Sequence, residues 1–520
     1  MKRTRIYKMN KNEKAFSNYS EISNKKLLIS IILYISALFY LSRRTLDFTD
    51  ESYYLLSIRD FRYYEKFNGI SKFGAIYHNI LQISDSLIFL RFTSQLIISL
   101  LSVFLLWRIN RFLGIKPTTF TAISILFLSL LPAFSTSGYL ISPNYNTATL
   151  IGLLGVAISI LENRLRIRSI SLASSLVLLY FSKPTSFIFV ILSLLVMAYY
   201  LDKLRFRIVL ILGTLTFFGI VIGYQYTDGG IVHGYRNLQI SYSLLDRSHT
   251  IGLITNLLQQ FFPSNYFTFF AVVTVIILIT FEFIKTNDKR FIVILTICLL
   301  PLCGVAGTNT NIWDKVLQFM IIDLIVAFTL IHSKESEIIN INFFISMLLI
   351  GSLVIIAQAS YKTYRSDFGI IKNNTSINVP RMGNVLIPKQ TKKAIEPAVI
   401  AIKSYSGPQD RILDATGQLP AVALLTDKKT TGMAWFGMGT NSSVQENIAL
   451  RYLKCDSRSK LVIIEFVDKN NLDVTSILKY FHLNIGKDFS IIYEDRYFDP
   501  YKVSSSHLRI LYSKKNLTCS

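Results

Sequence analysis

The chain has little charge and little of the chemistry that sulfur supplies. Only 17% of its 520 residues are charged, against about 25% in ordinary soluble domains. One large soluble core under a polar shell is thereby excluded. There are four cysteines, and neither a CxxC pair nor a His-rich cluster occurs, so the spacing of a zinc site is missing. Cys298 and Cys303 lie in an apolar run and read as packing residues. Cys455 and Cys519 lie in the polar C-terminal part. They could pair if that part is outside the cell, although spacing alone does not show it. Internal repeats and low-complexity linkers are also missing.

Apolar residues are abundant instead. They make up 51% of the chain, and the mean hydropathy is +0.42. Apolar runs of roughly 17–25 residues recur along most of the sequence, the length a helix needs to cross a bilayer. The expected fold class is therefore a polytopic α-helical membrane protein. The net charge of +23 would suggest nucleic acid in a soluble protein. Here Lys and Arg crowd the N-terminal tail and alternate short loops, which is the positive-inside pattern, and no nucleic-acid partner is expected. The tail, 1–26, carries eight Lys or Arg and no cleavage-site pattern, so it reads as cytoplasmic.

Charge and hydropathy together predict about eleven spans. They run over 27–41, 87–106, 120–139 and 145–161, a pair meeting at Lys183-Pro184, then 208–224, 261–284, 291–305, 315–331 and 338–361. Proline interrupts a helix at its own position, which is why the run around Lys183-Pro184 reads as two short spans. The transmembrane region is thus 27–361, with long external loops at 43–86 and 225–260. Residues 362–520 differ in kind. Their apolar runs are too short to span, and strand-like and helix-like segments alternate, which predicts an extracytoplasmic α/β domain.

Three acids, Asp47, Asp50 and Glu51, stand within five residues just after the first apolar run. A carboxylate there could take a proton from an acceptor hydroxyl or orient a metal. Capping of a helix by Thr49 or Asp50 is the plainer alternative. On the same predicted side lie cations suited to phosphate: Arg91 one turn into the second span, Lys183 at the proline break, and Arg236 in the second external loop. Each could instead snorkel or solubilise. Asn144, Asn146 and Asn309 sit in amide-rich external turns. Amides bond sugars well, but they also cap helices and make turns.

The layout resembles the GT-C superfamily of integral-membrane glycosyltransferases, of the bacterial aminoarabinose-transferase and protein O-mannosyltransferase type. Three features carry the resemblance. Asp50-Glu51-x-x-Tyr54 stands in a long first external loop, Lys183-Pro184 joins two short mid-chain spans, and a many-span region precedes an external α/β domain. Leu413-Asp414-Ala415-Thr416-Gly417-Gln418-Leu419-Pro420 is similar to a segment of uncharacterised bacterial members.

The resemblance implies a polyprenyl-phosphate sugar donor and a lipid, glycan or protein acceptor. It assigns the catalytic role to Asp50, with Glu51 and Asp47 beside it. Tyr54, Arg91, Asn144, Asn146, Lys183, Arg236 and Asn309 are the implied substrate contacts, in the plasma membrane among its lipids. The family often has a further acid in another external loop. Here Asn144 and Asn146 take that place, which leaves a divalent metal an open expectation. A transporter, or a non-catalytic protein of envelope-polysaccharide assembly, is the alternative.

Overall fold

The first long loop of this chain is built into its C-terminal sheet region. A computed structural model describes residues 24–64, 71–115, 119–135, 138–201, 206–235, 266–305, 318–333, 369–431, 457–467, 474–498 and 505–518, with a few isolated positions. The expected sites Arg236 and Asn309, most of the loop 225–260 and the pair Cys455 and Cys519 lie outside the described residues.

The first helix, α1 (Asn24–Ser42), buries Tyr34 and Leu38 against the rest of the chain and leaves Leu28, Leu33 and Phe39 about half exposed. A broad apolar face of this kind suits lipid. Three helices of the first loop follow: α2 (Asp50–Arg59), α3 (Phe61–Tyr64) and α4 (Phe73–Ser84). Next, α5 (Leu87–Leu113) starts at Ser86, whose hydroxyl accepts from Phe89 N, and stops at Gly114 with φ +76°, the left-handed conformation that only glycine adopts at no steric cost.

A shorter apolar helix, α6 (Thr119–Leu128), precedes the hairpin β1 (Phe134–Ser135) and β2 (Gly138–Tyr139). Beyond it come α7 (Tyr145–Ile160), α8 (Leu165–Ser182), α9 (Pro184–Tyr200) and α10 (Phe206–Asp228). Lys183 is extended, and Pro184 occupies the first turn of α9, where its missing N–H costs nothing. Two helices therefore meet at this proline, as its chemistry predicts.

Among the described residues α5 and α8 are long and apolar enough to cross a bilayer, and several shorter apolar helices accompany them. Further helices lie at Tyr266–Thr286, Arg290–Val305 and Ile321–Ser333.

The C-terminal region carries a hairpin of β3 (Asn373–Val379) and β4 (Gly383–Pro388), then a five-stranded sheet. Its strands are β5 (Arg411–Asp414), β6 (Lys429–Thr430), β7 (Leu461–Phe466), β8 (Phe489–Phe498) and β9 (Ser505–Ser513), in the order β6-β5-β7-β9-β8. Central β5 runs parallel to β6 and β7, while β9 is antiparallel to β7 and β8. All four residues of β5 and all six of β7 are buried, as strands covered on both faces must be. The helix Lys389–Tyr405 lies against this sheet and presents Ile395, Val399 and Ile402 to it at helical spacing.

One apolar cluster joins Phe48, Leu55 and Leu56 of the first loop to Ile377, Val422 and Ile464 of the sheet region. Backbone bonds reinforce it. Thr45 N donates to Leu386 O and Leu386 N to Arg43 O, each at 2.8 Å, while Leu87 N reaches Met382 O at 2.7 Å. Around the rim Arg381 bridges Asp60 and Asp427 at 3.0 and 2.7 Å.

Within the loop α2 and α4 touch at their backbones. A Cβ on Gly74 would stand 2.4 Å from Ser57 O, so no side chain fits there. Gly74→Ala is expected to destabilise the protein by about 1–3 kcal/mol through overpacking. Thermal unfolding in detergent reads this as a lower midpoint, and an unchanged midpoint would contradict the packing.

Candidate functional site

The three acids of the first loop fold into three different situations. Asp47 and Glu51 cap one another across the start of α2. Asp47 Oδ2 accepts from Glu51 N at 3.1 Å, and Glu51 Oε2 accepts from Asp47 N at 2.8 Å. This is the reciprocal logic of a capping box. The Asp47 carbonyl also takes Ser52 N at 3.2 Å and Ser52 Oγ at 2.7 Å. The other oxygen of Glu51 accepts from Arg91 Nη2 at 2.6 Å, and both side chains are fully buried.

Arg91 is held by more than this pair. Its Nε donates to Ser142 Oγ at 2.7 Å, Nη1 to Ser42 O and Arg44 O at 3.0 Å each, and Nη2 to Thr45 O at 2.9 Å. A guanidinium has five N–H donors, and all five are engaged inside the chain. Arg91, expected to meet a substrate phosphate, is thus engaged within the chain as an anchor. Glu51, expected beside the catalytic acid, is the partner of that anchor. Thr45, between these contacts, has φ +70°, a strained conformation for a β-branched residue. Arg91 on one side and Leu386 on the other hold it.

Asp50 is different. It is the first residue of α2 and half-buried, and the helix dipole favours its charge there. Aromatic side chains gather beside it. Tyr54 meets Phe73 edge-on at 5.6 Å and Tyr145 at 5.9 Å, and Tyr53 meets Tyr54 at 5.4 Å. Burial, foremost, holds the Tyr53 phenol well above its ordinary pKa, and the charges of Tyr145 and Asp50 add to this. The Tyr53 hydroxyl therefore keeps its proton beside the acid.

The span-three to span-four turn delivers two amides with opposite fates. Asn144 Oδ1 accepts from Asn146 N at 2.8 Å and Thr147 N at 3.1 Å, and its Nδ2 donates to Ser142 O at 3.3 Å. Asn144, expected as a substrate contact, is a helix cap with both ends of its amide engaged. Asn146 is buried, and its Oδ1 finds no partner, a costly condition for a buried acceptor. Asn146 and Tyr54 both hydrogen-bond Tyr145. Asp50, Tyr54, Tyr145 and Asn146 therefore lie together.

Lys183 is 7% exposed, and its Nζ donates to Gly304 O at 2.7 Å, near the end of the helix Arg290–Val305. A cation at a helix C-terminus is well placed electrostatically. The loop before α4 docks on the same joint through Ser71 Oγ to Ser182 O at 2.8 Å and Lys72 N to Phe181 O at 2.7 Å. Lys72 Nζ pairs with Asp228 at 3.0 Å in a buried contact.

Sequence reasoning missed Tyr145, Phe73 and Lys72. The tyrosine stood inside an amide-rich turn, and its pairing with Tyr54 spans ninety residues of chain. Among the described residues there is no group of three or more His, Cys, Asp or Glu that could hold a metal. At the acids themselves Asp47 and Glu51 already accept backbone N–H groups and Arg91, so the donor set does not fit a metal centre.

No family model matches the sequence, and no curated protein matches it. Solved structures do resemble its fold. One is the crystal structure of ArnT from Cupriavidus metallidurans in the apo state, with 9% identity over 94% of this chain and 98% of that one, at a TM-score of 0.49. Another is the oligosaccharyltransferase of Archaeoglobus fulgidus in complex with Zn and sulfate, with 12% identity over 84% of this chain and 67% of that one, at 0.44. The likeness concerns the fold, and the site is read from this chain's own residues.

Arg91→Lys keeps the charge, but its three donors leave two of the five acceptors unmet. A loss of about 2–4 kcal/mol is expected, read as a lower unfolding midpoint, and a midpoint equal to wild type would contradict the anchoring role.

Proposed function

We propose that this protein is a membrane glycosyltransferase that moves a sugar from a polyprenyl-phosphate donor to an acceptor hydroxyl of a glycan, lipid or protein, on the outer face of the membrane. The observation that carries this reading is the sorting of the acids. Two are locked into an anchor, and the third, Asp50, stands half-buried on a rigid helix start beside aromatic faces. Catalytic groups need such positioning on fixed elements.

The acceptor hydroxyl attacks the anomeric carbon of the donor sugar. The bond from that carbon to the phosphate oxygen breaks, and its electron pair leaves with the lipid phosphate. Asp50 takes the acceptor proton as general base. Tyr54 and Tyr145 offer apolar faces for a sugar ring, and the unpartnered Oδ1 of Asn146 suits one of its hydroxyls. Lys183 and Arg236 are proposed to counter the phosphate charge, which grows as the lipid leaves.

A transport reading has one feature in its favour. Asp323 is 2% exposed within the helix Ile321–Ser333, beside the buried Cys298 thiol and with no cation paired to it among the described residues. An acid in such a place is a functional candidate. Asp323→Asn separates the readings: turnover near wild type fits glycosyl transfer, and its abolition fits transport-linked function.

Purified protein incubated with a panel of polyprenyl-phosphate hexoses and pentoses is expected to release polyprenyl phosphate. Asp50→Asn is expected to lower that release by about 10²–10⁴-fold with expression intact. Wild-type-like turnover by Asp50→Asn would overturn the assignment.

A further inference from the structure

The segment Leu413–Pro420 has no part in the chemistry above, although its sequence is distinctive. It is the loop that leaves the C-terminal end of β5 and crosses onto the first loop of the chain. Asp414, the last residue of β5, is 5% exposed. Its Oδ1 accepts from Thr416 N at 3.0 Å and from Thr416 Oγ at 2.5 Å, and its Oδ2 accepts from Leu419 N at 2.8 Å. Thr416 Oγ in turn accepts from Gln418 N at 3.1 Å. Gly417 turns the chain at φ +62°, where a side chain would be strained. One carboxylate thus ties Thr416 and Leu419, and through Thr416 also Gln418, into a fixed loop.

That loop holds the backbone immediately before Asp50. Gln418 O accepts from Thr49 Oγ at 2.9 Å, and Ala421 N donates to Phe48 O at 3.1 Å. Thr49 occupies the N-cap position of α2, yet its side chain makes no cap bond. A threonine at that position ordinarily serves its own helix. Here its hydroxyl is given to the sheet region, and Asp47 does the capping. Phe48 is fully buried in the shared core, so both residues preceding the acid are located by the C-terminal region.

We propose that the Asp414 loop positions Asp50: Asp414 fixes Gln418 and Leu419, these fix Phe48 and Thr49, and Thr49 sets the start of α2. Asp414 and Thr49 are positioning residues and touch no substrate. The proposal deepens the glycosyl-transfer reading by making the C-terminal region part of the active site. Its first test is independent of any activity.

Hydrogen–deuterium exchange of the full-length protein in detergent reads the coupling directly. Glu51 N and Ser52 N are bonded to Asp47, and Tyr53 N to Thr49 O, so their amides report on the helix start. Thr49→Val removes the hydroxyl and keeps the shape. Thr49→Val and Asp414→Asn are each expected to speed exchange at these amides by about tenfold, while the amides of β5 and β7 stay protected. Thr49→Ser restores the hydroxyl and is expected to restore wild-type exchange. Unchanged exchange at Glu51–Tyr53 in Thr49→Val would overturn the proposal, as would equal loosening of the whole sheet in Asp414→Asn.

The panel of polyprenyl-phosphate sugars supplies the second reading. Thr49→Val is expected to lower kcat by about tenfold or more with KM within about threefold of wild type, because misplacement of a reacting group is felt in the chemical step. Loosened exchange with an unchanged kcat would overturn the positioning role. If wild type turns over no donor of the panel, the glycosyl-transfer reading fails, and the exchange experiment still decides the coupling.

Discussion

A fully buried ion pair, Arg91 with Glu51 at 2.6 Å, holds the site region together. Taking two charges out of water costs several kcal/mol per ion, and their attraction repays this only with good geometry and satisfied remaining donors. Both conditions hold. The guanidinium gives its other donors to Ser42, Arg44, Thr45 and Ser142, and the carboxylate gives its second oxygen to Asp47 N. Four places in the chain are gathered at one point: the end of α1, the start of α2, the first turn of α5 and the turn before α7. An apolar contact there would bury area without fixing direction. The fork of an arginine fixes direction.

The consequence for function is a division of labour among acids that look equivalent in sequence. Glu51 and Asp47 are rigid because they are bonded within the chain, and their rigidity gives Asp50 a fixed origin. The shared core of Phe48, Leu55 and Leu56 with Ile377, Val422 and Ile464 then holds α2 against the sheet region. An acid on a loosely attached loop would need ordering at each turnover. Here that ordering is done at folding. The rings of Tyr54, Phe73 and Tyr145 pack edge to face beside α2.

Much of this was legible in the sequence, and the unread part has a common cause. The acid run, the break at Lys183-Pro184 and the strands around Ile412, Ile463, Ile491 and Ile510 are local signals of period, proline and charge. The cap at Asn144 was also local, since Asn144 and Thr147 have capping-box spacing. The engagement of Arg91 was not legible, because its partners are backbone carbonyls, a serine hydroxyl and a glutamate forty residues away. Thr49 looked like an ordinary N-cap, and its hydroxyl goes instead to a carbonyl 369 residues along the chain. The β3–β4 hairpin went unread, although alternation from Asn373 to Val379 and the turn at Gly383, φ +82°, were available signs. Long-range hydrogen bonds decide the surroundings of several similar side chains, and they leave no periodic trace.

The central claim is that Asp50 activates an acceptor hydroxyl for a single displacement at the anomeric carbon, with the anchored acids taking no covalent part. The stereochemistry of transfer tests it most directly. A donor labelled with ¹³C at its anomeric carbon, followed by NMR through turnover, reports the configuration of the new glycosidic bond. The account predicts inversion. Retention would mean two displacements through a glycosyl-enzyme intermediate, and would contradict it.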